Sequence, residues 1–166
     1  NSNKKFDHDG IIASRGVRNE IFFEQAQELY ANRINKKKLS FDTNDFDISF
    51  IRGLNFEDGL TTLTDFTASI IAEELFLNLK NIQADNLIIL LSGGGRKNKT
   101  LLKKIRENLP ENLNLKLIDD YKINGDFVES QAFAFLAVRS FYRLPISFPS
   151  TTGCKSPCIG GELIEN

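Results

Sequence analysis

The stretch Asn86-Leu-Ile-Ile-Leu-Leu-Ser-Gly-Gly-Gly-Arg-Lys-Asn98 decides how this chain is read. A short apolar run, Leu87 to Leu91, enters three consecutive glycines, and Asn98 then stands where a new helix needs a cap. Consecutive glycines let main chain approach a ligand closely, because no Cβ intervenes and positive φ is free. Strand, glycine turn and helix start form the arrangement with which α/β proteins hold nucleotides. Taken alone, the stretch leaves two readings open: a ligand contact or a tight turn. A dinucleotide fingerprint is disfavoured, because the third glycine of G-x-G-x-x-G is replaced by Asn98.

Outward from this stretch, hydrophobic spacing predicts alternating elements. Glu20 to Ile34 reads as a helix with Ile21, Leu29 and neighbouring aromatics on its buried side. From Phe56 to Leu79, Leu60, Leu63, Thr67, Ile70, Ile71 and Leu75 recur at helical spacing. Asn55 is a natural cap there, and Glu57 and Asp58 suit the positive end of the helix dipole. Residues 86–91 form a strand whose unbroken apolar run suits the centre of a parallel sheet. A helix from Asn98 to Leu109 ends at Pro110, and Leu113 to Ile118 reads as a second strand. A helix from Asp126 to Arg143 is apolar on nearly every face and is expected to be buried. Cys158 to Ile164 reads as a last strand. The order of elements implies a parallel or mixed α/β sheet.

Composition bounds the function. With 166 residues, 41% hydrophobic and 26% charged, the chain suits one globular domain or one lobe of a larger protein. Its formal net charge of −1 provides no electrostatic footprint for nucleic acid or an anionic membrane, so neither is expected as a partner. Cys154 and Cys158 lack further His or Cys neighbours, so no metal site is expected, and a reduced, cytoplasmic pair is the reading. Methionine is absent, so the chain is expected to begin inside a longer reading frame or to have lost its start.

Five stretches carry a resemblance to one family. Phe6-Asp-His-Asp-Gly-Ile-Ile-Ala-Ser-Arg-Gly-Val17 resembles an aromatic-D-x-D-G-x-x-A-x-x-G-x-V segment. Ser40-Phe-Asp-Thr-Asn-Asp-Phe46 resembles S-L-D-R-N-D-F, with Thr43 in place of Arg. Leu91-Ser-Gly-Gly-Gly-Arg-Lys-Asn98 resembles the turn C-G-G-G-A-R-N. Ile123 to Ala137 resembles I-P-G-D-A-x-E-A-x-A-F-A-W-L-A, and Leu144 to Gly153 resembles L-P-G-N-L-P-x-V-T-G. Departures fall at Lys122 for Gly, Asn124 for Pro and Ser130 for Ala. The chain is thus similar to the C-terminal part of anhydro-N-acetylmuramic acid kinases, sugar kinases of the hexokinase, actin and heat-shock ATPase superfamily.

The resemblance implies an α/β lobe of the ribonuclease-H-like type, with a mixed sheet flanked by helices and spanning residues 1–166. It also implies phosphorylation of 1,6-anhydro-N-acetylmuramic acid by ATP and Mg²⁺, with hydrolytic opening of the anhydro ring. The product is N-acetylmuramic acid 6-phosphate, formed in peptidoglycan recycling. Gly93, Gly94, Gly95 and Asn98 are then the expected ATP contacts, and Glu129 the expected sugar contact. For Asn98 a helix cap is the alternative role. For Glu129 it is a capping box with Asp126. Arg96, Lys97 and Lys99 are expected on a solvated helix face, and His8, the only histidine, in a surface turn.

The family's phosphate-binding G-T-S-x-D-G and its D-T-G-P-G-N segment, whose Asp is the general base, do not occur here. Phosphoryl transfer needs positioned phosphates, Mg²⁺ and an activated acceptor together. No catalytic residue is therefore assigned, and the isolated chain is not expected to be a competent kinase. The expected partners are the two substrates, a separate N-terminal kinase half, and a second copy in a homodimer. The alternatives are a non-catalytic truncated remnant, or a nucleotide-binding or protein-interaction module without phosphotransfer.

Overall fold

The computed structural model describes residues 6–34, 46–82, 86–162 and 164. The Ser40–Phe46 stretch, Thr43 included, and the Lys36–Lys38 run therefore lie outside the described residues, except for Phe46. Five α-helices and two strands are described: α1 (Glu20–Ile34), α2 (Phe56–Leu79), β1 (Leu87–Leu91), α3 (Lys99–Asn108), β2 (Leu113–Leu117), α4 (Val128–Phe141) and the single turn α5 (Pro149–Thr152). No described helix is long and apolar enough to cross a membrane.

The strands pair in parallel, Leu87 opposite Leu113 through Leu91 opposite Leu117, with α3 as the crossover. This is the mixed α/β class expected from the order of elements, with helices against a small parallel sheet. Local signals set the helix starts. The Asn55 side chain accepts from Asp58 N at 2.9 Å, and Asn98 Oδ1 accepts from Leu101 N at 2.9 Å.

α2 is the centre of the packing. On one side Phe66 meets Phe23, Ala26 and Tyr30 of α1, with Phe46 and Phe50 against them. On the other side Ala68 packs with Leu102 and Ile105 of α3 and Leu115 of β2. Asp65, 4% exposed, is held across that second contact by Lys104 Nζ at 3.0 Å. Apart from Phe66, the buried residues of α2 are therefore small or polar: Gly59, Thr61, Thr62, Asp65, Ala68 and Ala72. The stripe read from periodicity, Leu60 to Leu75, is only half-buried. A helix clasped from two sides buries two narrow strips, and short side chains let the neighbouring backbones approach.

Four expectations are corrected. In α1 the buried residues are Phe23, Ala26 and Tyr30, whereas Ile21 and Leu29 are 67% and 60% exposed. β1 is covered on one face only: Ile89 and Leu91 join the second cluster, while Ile88 and Leu90 face outward. α4 has no buried residue at all, and Phe133, Phe135 and Phe141 are each more than 60% exposed. Cys158 to Ile164 is not a strand in its described residues; Cys158 forms only an isolated antiparallel bridge with Ser147.

The exposure of α4 changes what a truncation there should do. Removing a fully buried phenyl costs about 3–5 kcal/mol, but Phe135 has little burial to lose. Phe135→Ala is expected to cost below about 1 kcal/mol in chemical denaturation of this chain.

Candidate functional site

The glycine turn stands off from the protein around it. Gly93 adopts φ 77°, ψ 177°, and residues 94–97 form one 3₁₀ turn that delivers the chain to Asn98. A Cβ built on Gly93 or Gly94 would meet nothing within 4 Å, and one on Gly95 would meet only Leu101 Cδ2 at 4.0 Å. At two other glycines the fold itself consumes the space. At Gly10 a Cβ would lie 2.1 Å from Asn98 Oδ1, and at Gly16 it would lie 2.3 Å from the Glu57 carbonyl. Positive φ accounts for Gly93. Neither backbone nor packing accounts for Gly94.

The open side of this turn borders a cavity of about 1100 Å³. Gly94, Gly95, Asn98 and Lys99 line it from the turn and the start of α3, Arg106 from the end of α3, and Phe6, Asp7, His8 and Asp9 from the N-terminal turn. The N-terminal turn is joined to the start of α3, since Thr100 Oγ1 donates to Gly10 O at 2.8 Å. Lys99 Nζ also lies 3.5 Å from Asp9 Oδ2. Asn98 serves as the cap of α3 and as a cavity wall at once.

Arg96 is where sequence reasoning failed. Its side chain is 5% exposed rather than solvated. Nε and Nη2 bond the two oxygens of Asp119 at 2.7 and 3.0 Å, and Nη1 bonds Asp126 Oδ1 at 2.7 Å and Gly93 O at 2.9 Å. The guanidinium lies close against Gly125, where a Cβ would come 2.4 Å from Nε. Gly93 N donates to Gly125 O at 3.0 Å, so main chain and side chain together lock the glycine turn to the turn before α4. The available signal was the pairing itself: an Arg after the glycines, and Asp119, Gly125 and Asp126 some distance on. Single-sequence periodicity is blind to such long-range ion pairs.

This clamp also removes the capping box. Asp126 gives one oxygen to Arg96 and the other to Lys97 Nζ at 2.7 Å. α4 starts after Phe127, with no side-chain cap. Glu129 is exposed in the first turn and does not line the cavity. Lys122, which stands where the resemblance has glycine, adopts φ 63°, ψ 23°, a left-handed conformation that suits glycine better. His8 lies in the surface turn expected of it. Cys154 and Cys158 are free thiols, and hydrogen bonding from Thr152 chiefly lowers the Cys154 pKa. Among the described residues no group of three or more His, Cys, Asp or Glu is placed to hold a metal ion.

The clamp has a pH signature. Hydrogen bonds from Arg96, above all, hold the Asp119 carboxyl at about 2, below its ordinary 3.8. Because the folded value is depressed, the contribution to stability is complete above the unfolded pKa and is lost as pH falls through about 2. In Arg96→Met, carboxyl NMR titration is expected to return Asp119 towards 3.8. Retention of the low value would show that another group holds it.

Strand, open glycine turn and capped helix thus border one large cavity in a mixed α/β protein. Residues 1–166 match the family described as anhydro-N-acetylmuramic acid kinase, and the chain belongs to that family. It is 50% identical over 162 residues to the anhydro-N-acetylmuramic acid kinase of Pelagibacter ubique, covering 98% of this chain and 43% of that protein. The proteins of the same name from Zymomonas mobilis and Brucella anthropi are 36% and 37% identical, over 95% and 96% of this chain and 41% of each relative. The chain thus spans about two-fifths of the length of these relatives.

Proposed function

We propose that this chain is the C-terminal lobe, ribonuclease-H-like in fold, of an ATP-dependent kinase that converts 1,6-anhydro-N-acetylmuramic acid to N-acetylmuramic acid 6-phosphate with hydrolytic opening of the anhydro ring. Gly94 carries the reading: a glycine that neither φ nor packing requires, beside a cavity large enough for a nucleotide. In this proposal Gly93, Gly94 and Gly95 lie against ATP, and Asn98 orients the turn by capping α3. ATP would supply the phosphoryl group, and Mg²⁺ would be carried on its phosphates. The lobe's own residues bind and orient, while the general base and phosphate loop belong to the part of the family protein that this chain does not span.

Glu129 is proposed as the sugar contact, and its freedom supports that role. With Asp126 engaged by Arg96 and Lys97, the Glu129 carboxylate is left to accept from hydroxyl or amide groups. The exposed phenyls of α4 and the outward Ile88 and Leu90 are surfaces that the remaining lobe would cover. The test is phosphotransfer from ATP to 1,6-anhydro-N-acetylmuramic acid, run with and without a segment carrying G-T-S-x-D-G and D-T-G-P-G-N. Turnover only in the combined sample is expected, with Glu129→Gln raising the KM for sugar at unchanged ATP affinity. A combined sample that is folded and inactive would refute the kinase reading. Selective loss of ATP affinity in Glu129→Gln would refute the sugar assignment.

A further inference from the structure

One wall of the cavity is aromatic and is not explained by packing. Phe6 and His8 stack on each other with ring centroids 5.9 Å apart and planes 25° from parallel. Both rings stand in the open: Phe6 is 71% exposed, and the His8 side chain is 72% exposed. Both line the same cavity as Gly94 and Gly95. An exposed aromatic pair contributes little to the core, yet the turn that bears it is firmly built.

Asp7, between the two rings, receives Ile12 N and Ala13 N on its two carboxylate oxygens, each at 2.9 Å. Asp9 and Gly10 follow with φ of 56° and 73°, which turns the chain sharply. Gly10 is then pinned to α3 through Thr100 Oγ1, and Ala13, 2% exposed, is pinned to α2 through Thr61 Oγ1 at 2.6 Å. Asp9 Oδ2 lies 3.6 Å from His8 Nδ1 and 3.5 Å from Lys99 Nζ, which places the imidazole beside a cation at the start of α3. The turn that carries the rings is thus held in place without a ligand. Flat faces carried on a fixed turn suit a flat, polarisable guest, because less ordering remains to be done on binding.

We propose that Phe6 and His8 are the nucleobase platform of this cavity: a purine nucleotide stacks its base on these rings while its sugar and phosphates run past the glycine turn and Lys99. The proposal rests on the nucleotide reading above and deepens it, since it assigns the base to the N-terminal turn rather than to the glycines.

His8 makes the test direct, because it is the only histidine and its imidazole C–H resonances stand alone in the NMR spectrum. The full chain is titrated in parallel with adenosine, ATP and tripolyphosphate. Adenosine and ATP are expected to shift the His8 resonances upfield by ring current. Phe6→Leu, at an exposed position, is expected to weaken both by about ten-fold and to leave tripolyphosphate unchanged. His8→Gln provides a second variant with the same expected pattern. Movement of the Gly93–Gly95 amides with silent His8 resonances would overturn the platform and leave the nucleotide reading standing. No movement of either, with adenosine or with ATP, would overturn both. Equal weakening of tripolyphosphate in Phe6→Leu would show that the ring only shapes the turn, and would also overturn the platform.

Discussion

Gly10→Ala is expected to destabilise the chain by about 3 kcal/mol in urea denaturation, from two sources. The position has φ 73°, where any Cβ is strained, and that Cβ would fall 2.1 Å from Asn98 Oδ1 and 2.7 Å from Thr100 Cβ. Asn98 cannot yield without releasing Leu101 N, the cap of α3, and Thr100 cannot yield without releasing Gly10 O. Gly53→Ala separates the two sources. Gly53 also has positive φ, 95°, but a Cβ there meets nothing within 4 Å. Its cost should therefore be the backbone share alone, about 1–2 kcal/mol. Equal losses at the two positions would mean that the N-terminal turn does not pack on α3, and the cavity between them would lose a wall.

What could be read from sequence was what is local. The bounds of α1 and α2 agree with those read from apolar spacing, and both Asn55 and Asn98 cap as their positions suggest. Hydrogen-bond periodicity and caps depend on residues within one turn, so one sequence is enough for them. Burial depends on what comes alongside. Ile21 and Leu29 are apolar at helical spacing and still face outward, because α2 meets α1 at Phe23, Ala26 and Tyr30. α4 is apolar on nearly every face and was expected to be buried on that ground. Among the described residues nothing buries it.

The candidate site divides along the same line. Three glycines and an Asn cap announce themselves in sequence, but Arg96 acquires its meaning only from Asp119 and Asp126, 23 and 30 residues on. Gly125 was legible as a turn residue, and its real constraint is the guanidinium lying against it. For Glu129 a capping box was the alternative to a sugar contact, because Asp126 stands at the right spacing. The clamp takes that partner away and leaves the carboxylate free. Chemistry built from distant ion pairs is invisible to spacing, which is why the glycines were found and the clamp that aims them was not.

Gly94→Val is the sharpest test of those glycines. A Cβ at Gly94 meets no protein atom within 4 Å, and the position is not one with positive φ. The fold should accept valine with almost no change in melting temperature. If ATP packs against the main chain here, two branched methyls fill the space its atoms need, a clash of about 1–3 kcal/mol, or about ten- to hundred-fold in affinity. Under the proposed function, binding by this lobe alone should be weak, because the family's phosphate loop lies in the part not spanned, and such a loss should carry it below detection. Gly125→Ala serves as the opposite control: its Cβ strikes Arg96, so it should lower the melting temperature. A variant at Gly94 that binds ATP normally would assign the triple glycine to the turn alone. One that unfolds would show that the space in front of it is already taken.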